Sequence, residues 1–373
     1  MKPTLDETSR QTLQLISNAL KSTKLYFAGG CVRDALLGAP SKDFDIEVYN
    51  ISQSDFEKAM ESIGAIGVGK SFFVYRLANF DISLPRIESK IGVGHTAFEA
   101  SVTDDMRLAC IRRDFTINSM LLSVDNGELF DFYGGLEDLK HMVLRATSER
   151  SFTEDSLRVL RAMQFAARFG MRVEPATMQM CADTDLCDIS TSRIFAEFEK
   201  MFDAKHLVFG AYYFFALGIA RRLFGMECDF VSFLRLSREL KKSSLFFGKN
   251  PTGLFLYQLF CVFKPNKNSF LDKIGASNIY RKLFAAQKRV PRCISERFLV
   301  GIALKMPICE WLGAYCSSVK DSAQKLGIWS EPYKPDATHQ KMITMGFEGG
   351  DISKNYKLEL AKEIREKFRG KDE

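Results

Sequence analysis

Two short runs near the N-terminus combine residue types suited to handling a nucleoside triphosphate. Gly29-Gly30-Cys31-Val32-Arg33-Asp34 follows an apolar stretch, Leu25 to Ala28, that reads as a strand. A strand that breaks at two glycines into a helix start turns backbone N–H groups outward, where they can hold phosphate oxygens. The helix reads from Val32 to Leu37 and is ended by Gly38 and Pro40. Arg33 falls on the same face as Gly30 and adds a positive charge. Asp43-x-Asp45 opens a segment to Tyr49 that alternates like a strand, so the two carboxylates share a face and can grip the same Mg²⁺ ions. That equipment can activate a 3′-hydroxyl and stabilise a departing pyrophosphate. An Asp-x-Asp pair alone is a weak signal, common at strand ends. The Gly-Gly-x-x-Arg-Asp unit ahead of it raises its specificity. Asp81, in Phe80-Asp81-Ile82-Ser83, lies on another candidate strand, as a third acidic neighbour or as a structural residue.

Two later clusters extend the pattern. Arg112-Arg113-Asp114-Phe115-Thr116-Ile117-Asn118 sets adjacent arginines before an aspartate. They could line a phosphate site or be exposed charge at a helix start, and the local sequence leaves both open. In Glu154-Asp155-Ser156-Leu157-Arg158-Val159-Leu160-Arg161, the spacing predicts that Asp155, Arg158 and Arg161 stack along one helix face. Leu157, Leu160 and Phe165 take the packed face. A surface ion-pair stripe of this kind contributes only about a few tenths of a kcal/mol. A more specific reading is nucleotide choice. A carboxylate accepts from the exocyclic amine of cytosine or adenine, while an arginine donates to the neighbouring ring nitrogen. Guanine and uracil present a carbonyl there and leave the carboxylate facing an acceptor, a mismatch that discriminates strongly.

Positioning these residues requires an α/β domain followed by helices. Strands are expected at Leu25 to Ala28, Asp43 to Tyr49, Phe72 to Leu77, Phe80 to Leu84, Ser119 to Val124 and Leu129 to Phe132. Helices are expected at 7–21, 31–37, 53–62 and 104–110, which together predict a mixed sheet. From about residue 146 apolar residues recur at helical spacing, with Gly170 as a stop signal. Further helices are expected near 175–186, 190–204, 206–223, 229–240, 251–263, 269–287, 294–304, 307–325 and 355–369.

The 373 residues suggest two to four domains, and 46% hydrophobic content suffices for their cores. Nine cysteines lack C-x-x-C spacing, and only four histidines occur, which argues against structural zinc and for a reducing compartment. Met1 to Gln14 is polar and lacks a signal-peptide core, so a cytoplasmic location is expected. The longest apolar stretch, Leu207 to Ala220, is shorter than the roughly 20 residues of a spanning helix and is read as buried, with no membrane partner. A net charge of +6 has the right sign for an RNA partner but is weak support for one.

In this order the clusters resemble the class II tRNA nucleotidyltransferases, or CCA-adding enzymes, and their bacterial poly(A) polymerase relatives. The resemblance rests on Gly29-Gly30-x-Val32-Arg33-Asp34, Asp43-x-Asp45, Arg112 to Asn118 and Glu154-Asp155-x-x-Arg158-x-x-Arg161. Leu84-Pro85-Arg86-Ile87-Glu88-Ser89-Lys90 with Gly92-x-Gly94-His95 looks like the family's flexible loop, and Asp131-Phe132-Tyr133-Gly134-Gly135-Leu136 like its next landmark. It is strong over residues 23–170, persists weakly through Ser192 to Glu197, and is faint beyond about 205.

The resemblance implies a polymerase β-like nucleotidyltransferase head (1–145), then an all-α neck (146–204), body (205–330) and tail (331–373). It implies that Gly29, Gly30 and Arg33 bind the triphosphate, that Asp43 and Asp45 hold Mg²⁺, and that Arg113 binds the incoming nucleotide. Asp155 and Arg158 would be the template pair, with Glu154 holding Arg158 and Arg161 adding a nucleotide contact. The family often has an arginine where this chain has Gln164, and Arg168 is an uncertain substitute. The implied activity is addition of CMP and AMP from CTP and ATP to the tRNA 3′ end. Lys241-Lys242, Arg281-Lys282 and Lys288-Arg289 are candidate RNA contacts, although a solvated helix face is the plainer reading of each. The alternatives are an A-adding or CC-adding enzyme, a poly(A) polymerase, a small-molecule nucleotidyltransferase, or a silent RNA-binding protein on the same fold. The retained loop from Pro85 to His95 argues against CC addition alone, and the intact Asp43/Asp45 pair against a silent protein.

Overall fold

The computed structural model describes residues 2–68, 73–90 and 98–367, within which the chain divides into two compact units. Met1–Met201 with Tyr212–Met226 forms the first, and Phe202–Ala211 with Glu227–Glu373 the second.

In the first unit, α1 (Glu7–Ala19) precedes β1 (Lys24–Ala28), α2 (Gly30–Leu36), β2 (Phe44–Tyr49), α3 (Gln53–Ser62) and β3 (Ile66–Gly67). Then come β4 (Val74–Leu77), β5 (Phe80–Ser83), β6 (Arg86–Lys90), β7 (Phe98–Val102), α4 (Met106–Ile111), β8 (Leu121–Ser123) and β9 (Leu129–Phe130). Seven strands form one sheet in the order β3-β4-β5-β2-β1-β8-β9. Its one parallel pair is β2 with β5, which sets Asp45 opposite Asp81. The sheet is therefore mixed, as expected. Apolar side chains cover both faces. Phe27, Phe44, Ile46, Phe80 and Ile82 are buried with Phe56 of α3, and Phe44 stacks on Phe80 with ring centroids 5.1 Å apart. Tyr26, Ala28 and Tyr49 pack with Cys110 and Leu121. The alternation of Phe27 with Tyr26 and Ala28 feeds the two layers from one strand.

The rest of the unit is mainly helical: α5 (Gly135–Lys140), β10 (Val143–Leu144), α6 (Glu149–Thr153), α7 (Leu157–Phe169), β11 (Arg172–Val173), α8 (Pro175–Asp183) and α9 (Thr191–Phe202). Gly170, in the left-handed region, stops α7 as its sequence signal predicts. The expected helix at 206–223 is broken into α10 (Leu207–Ala216) and α11 (Ile219–Phe224) by Gly218 at φ 69°. Among the described residues no helix is long and apolar enough to cross a membrane.

The second unit continues with α12 (Phe230–Phe247), α13 (Leu254–Phe263), α14 (Lys267–Lys273), α15 (Asn278–Ala286), α16 (Glu296–Ala303), α17 (Ser317–Lys325), α18 (His339–Thr344) and α19 (Gly350–Lys367). The single helix expected over 269–287 is two, separated at Gly275 (φ 65°). That expected over 307–325 is a 3₁₀ turn at Ile308–Glu310 followed by α17. Trp311, fully buried, anchors its core and donates from Nε1 to the Lys288 carbonyl at 2.7 Å. Short β3, the β6/β7 ribbon, the β10/β11 pair and α18 carry too little periodicity to be expected from sequence. Phe72, Gly92, Gly94 and His95, named in the expected strand and loop, lie outside the described residues.

Candidate active site

The strand-to-helix turn takes the conformation its glycines foretell. Gly29 has φ 69°, and α2 starts at Gly30 with no side chain capping its N-terminus. A Cβ on Gly29 would lie 2.7 Å from Arg113 Nη1 and 3.2 Å from Asp45 Oδ2. The turn thus meets an arginine from the end of α4 and a carboxylate from β2.

Asp45 and Glu47 alternate along β2 and share a face, and Asp43 lies immediately before the strand. Asp43 and Asp45 are exposed, and among the described residues neither is taken by an ion pair. The protein atoms crowding Asp45, with the like charges of Asp81, Glu47 and Asp43, raise its carboxyl pKa against the pull of Arg113. A cation relieves that repulsion. Among the described residues no three His, Cys, Asp or Glu side chains form a closed metal cage. Two open carboxylates suit a hard divalent ion such as Mg²⁺, which commonly keeps water and substrate phosphates as its other ligands. Asp81, beside Asp45 on β5, is held bidentately by Arg76 at 2.7 and 2.8 Å.

Glu47, which the sequence reading passed over, anchors the basic side of the site. It is 1% exposed and accepts from Arg113 Nη2 at 2.6 Å and Tyr49 Oη at 2.8 Å. Burial opposes its ionisation, but Arg113, Arg112 and these hydrogen bonds outweigh it and lower its pKa. Extending the period-two pattern from Asp43 and Asp45 by one more step would have found it. Arg112 and Arg113 therefore are not exposed charge at a helix start. They follow the last turn of α4 and point at a buried carboxylate. In the first turn of α2, burial and Asp45 push the Cys31 thiol pKa up to about 12, which disfavours its thiolate.

Arg33 lies deeper than expected. Only 4% exposed, it donates to Asp34 Oδ1 from Nε (2.9 Å) and Nη2 (2.7 Å) and to Asn118 Oδ1 from Nη1 (2.7 Å). Its guanidinium also lies over the Phe165 and Phe169 rings of α7, at 5.3 and 4.6 Å. Asn118 donates onward to Asp114 at 3.0 Å, and Arg161 grips Asp114 through Nε at 2.7 Å and Nη2 at 2.6 Å. One connected network thus runs from the glycine turn to α7, through Asn118 and Asp114, residues not predicted individually as ligands.

The Glu154 to Arg161 cluster departs from a single helix face. Glu154 and Asp155 lie in the joint between α6 and α7, because α7 begins only at Leu157. Asp155 instead accepts the Leu157 N–H at 3.2 Å, a local turn of the kind aspartate favours. Its carboxylate also pairs with Arg193 of α9 at 3.2 Å. Arg158 donates to Ser151 Oγ at 2.6 Å and to the backbone carbonyls of Arg112 and Arg113. Glu154 pairs with Arg150 at 3.4 Å. Gln164 is buried with its Oε1 unpartnered, whereas Arg168 is exposed and rests on the Phe169 ring at 5.1 Å.

Comparison with known proteins shows what the chain as a sequence and as a fold is similar to. Residues 25–145 fit the family model described as the poly A polymerase head domain. A multifunctional CCA protein of Aliivibrio salmonicida is 38% identical over 194 residues, covering 49% of this chain and 46% of that protein. A CCA-adding enzyme of Actinobacillus succinogenes is 37% identical over 187 residues, covering 47% and 45%. The chain thus matches just under half the length of these curated relatives. Among solved structures, a CCA-adding enzyme in an apo form superposes with TM-score 0.67 at 23% identity, covering 96% of this chain and 92% of the other. The Thermotoga maritima CCA-adding enzyme complexed with tRNA superposes with TM-score 0.66 at 22% identity, covering 99% and 93%. Residues 25–145 match the poly A polymerase head-domain model, and the chain shares its fold with solved CCA-adding enzymes.

Proposed function

We propose that this chain is a cytoplasmic, Mg²⁺-dependent nucleotidyltransferase that adds CMP and AMP, from CTP and ATP, to the 3′ end of tRNA. The observation that carries the reading is the approach of Asp45, exposed and without an ion pair among the described residues, to the Gly29 turn beside Arg113, with Asp43 close enough to act on its charge. Relatives named CCA-adding enzymes and a fold shared with such an enzyme bound to tRNA support the substrate class. The proposed domains are a head over 1–145, a neck over 146–204, a body over 205–330 and a tail over 331–373.

In this reading Asp43 and Asp45 would hold the metal, which would favour ionisation of the acceptor 3′-hydroxyl and stabilise the charge developing on the departing pyrophosphate. Gly29 and Gly30 keep the turn bare so that phosphate oxygens approach the backbone. Arg113, oriented by Glu47, presents its guanidinium to the nucleotide, and Arg161 does so from α7. Arg33 fixes the turn against Asn118 and α7. Asp155 and Arg158 would exchange Arg193 and Ser151 for the Watson–Crick edge of cytosine or adenine, as acceptor and donor, with Glu154 holding Arg158. A mismatch there costs about 1–3 kcal/mol for each unsatisfied group, enough to disfavour guanine and uracil.

Transcripts of tRNA ending at the discriminator base, at C and at CC, each given single and combined triphosphates, test the proposal. Full CCA completion is expected. A-only, CC-only or unlimited A addition would assign a specialised or poly(A)-forming enzyme instead. Asp43→Asn or Asp45→Asn should abolish incorporation by at least about 10³-fold, and retained activity would refute the metal role. Asp155→Ala or Arg158→Ala should relax nucleotide choice more than it lowers metal affinity. A variant still confined to C and A would sink the template reading.

A further inference from the structure

The second unit holds an open cavity of about 260 Å³ between α12, α13 and the segment that follows α15. Four arginines line it, Arg235, Arg238, Arg289 and Arg292, against one carboxylate, Glu239. Glu239 is already engaged, accepting from Tyr315 Oη at 2.9 Å and from Arg238 Nε at 3.2 Å. Arg289 is fixed by donating to the Phe260 carbonyl at 2.9 Å. Arg235 and Arg292 are exposed and have no carboxylate partner among the described residues. Gln258 of α13 also lines the cavity; it is 1% exposed, and its Nε2 lacks a hydrogen-bond partner.

Each feature is unfavourable without an anion. Like charges facing one space repel, and a buried amide donor without an acceptor forfeits the hydrogen bonds it made to water. An anion with several acceptor oxygens relieves both, and the guanidinium fork matches phosphate geometry. The volume falls below the roughly 300–1,000 Å³ typical of whole drug-sized ligands. A single phosphate group on a larger molecule is the better match. We propose that this cavity is a phosphate-binding site that takes a backbone phosphate of RNA. The inference rests on the proposed tRNA-extending activity and adds a defined anchoring point to it.

The test uses the full chain and a tRNA transcript, with affinity measured by fluorescence anisotropy over a range of salt. Arg235→Ala/Arg292→Ala should weaken binding about tenfold. It should also flatten the dependence of log affinity on log salt by about 0.7–0.9 per lost contact. A Lys354→Ala/Lys357→Ala variant of α19 removes the same charge elsewhere and should lose much less. Equal losses in both variants would overturn the site in favour of a diffuse field. Unchanged melting temperatures would exclude misfolding of these exposed-residue variants. A second arm compares melting in inorganic phosphate and in chloride at equal ionic strength. Stabilisation by phosphate that the arginine variant loses, with RNA binding untouched, would assign the cavity to free phosphate and overturn the RNA assignment. A wild-type chain that neither binds nor extends tRNA would refute the proposed function itself. One that extends tRNA while the arginine variant matches it in affinity and salt slope would refute the cavity alone.

Discussion

At the scale of single residues the site is held by close approach. Gly29 joins two requirements, a positive φ of 69° and the space taken by Arg113 Nη1 2.7 Å from where a Cβ would stand. An L side chain in that region costs about 1–2 kcal/mol by itself. In Gly29→Ala the methyl group also displaces Arg113 from Glu47 and crowds Asp45. The variant is expected to fold, to lose about 10²-fold in kcat/KM for the nucleotide, and to be checked by steady-state kinetics beside circular dichroism. Wild-type kinetics in that variant would show that the Arg113 approach is not needed. Glu47 illustrates the electrostatic side of the same geometry. Its buried charge is tolerated because Arg113 and Tyr49 satisfy it, and removing one partner would leave the other uncompensated.

Secondary elements place those residues through a few unusual contacts. Asp131 accepts from the N–H groups of Gly135 and Leu136 at 2.8 and 2.9 Å and so starts α5. That helix lies against the 3₁₀ turn Thr116–Asn118, where Thr116 Oγ1 donates to Asp138 at 2.8 Å. A Cβ on Gly135 would fall 2.2 Å from the Thr116 carbonyl oxygen, so the two backbones can touch only through glycine. This contact supports Asn118, and Asn118 supports Arg33. Gly135→Ala should therefore destabilise the first unit by about 1–3 kcal/mol, read as a lower urea midpoint. An undiminished midpoint would mean that α5 can shift without cost. The joint at Glu154-Asp155 works in the opposite sense. By interrupting the helix it frees Asp155 from the α7 face and turns it toward Arg193.

For the molecule as a whole, the second unit has an acid-sensitive fastening. Glu363 of α19 accepts from the N–H groups of Asp336 and Ala337 at 3.1 and 2.9 Å, from Tyr333 Oη at 2.8 Å and from Lys367 at 3.1 Å. Burial pulls its pKa upward, but these donors win and hold it down at about 2. A carboxyl whose folded pKa is lowered stabilises the fold above its ordinary value of 4.5. That contribution disappears as pH falls from there toward 2. Glu363→Gln should cost about 1–3 kcal/mol at pH 7, and the difference from wild type should shrink progressively on acidification. Unfolding of both chains at pH 7 and pH 3 measures this. A difference independent of pH would show that packing, and not charge, holds α19.

Much of the candidate site was legible because it is local. Period two places Asp43 and Asp45 together, and Gly-Gly after an apolar run marks the turn, since backbone geometry alone enforces both. The same reasoning would have included Glu47. What escaped were contacts between segments far apart in the chain. Arg33 could not be read as buried under Phe165 and Phe169, nor Arg112 and Arg113 as aimed at Glu47. Helix breaks at Gly218 and Gly275 depend on how neighbouring segments pack, which apolar periodicity does not encode. The sequence by itself determined the chemical types, their spacing along each element and the mixed α/β-then-α order. Only the tertiary structure decided which charges pair, which are buried and which stay open, because burial and partnership are properties of the assembled core.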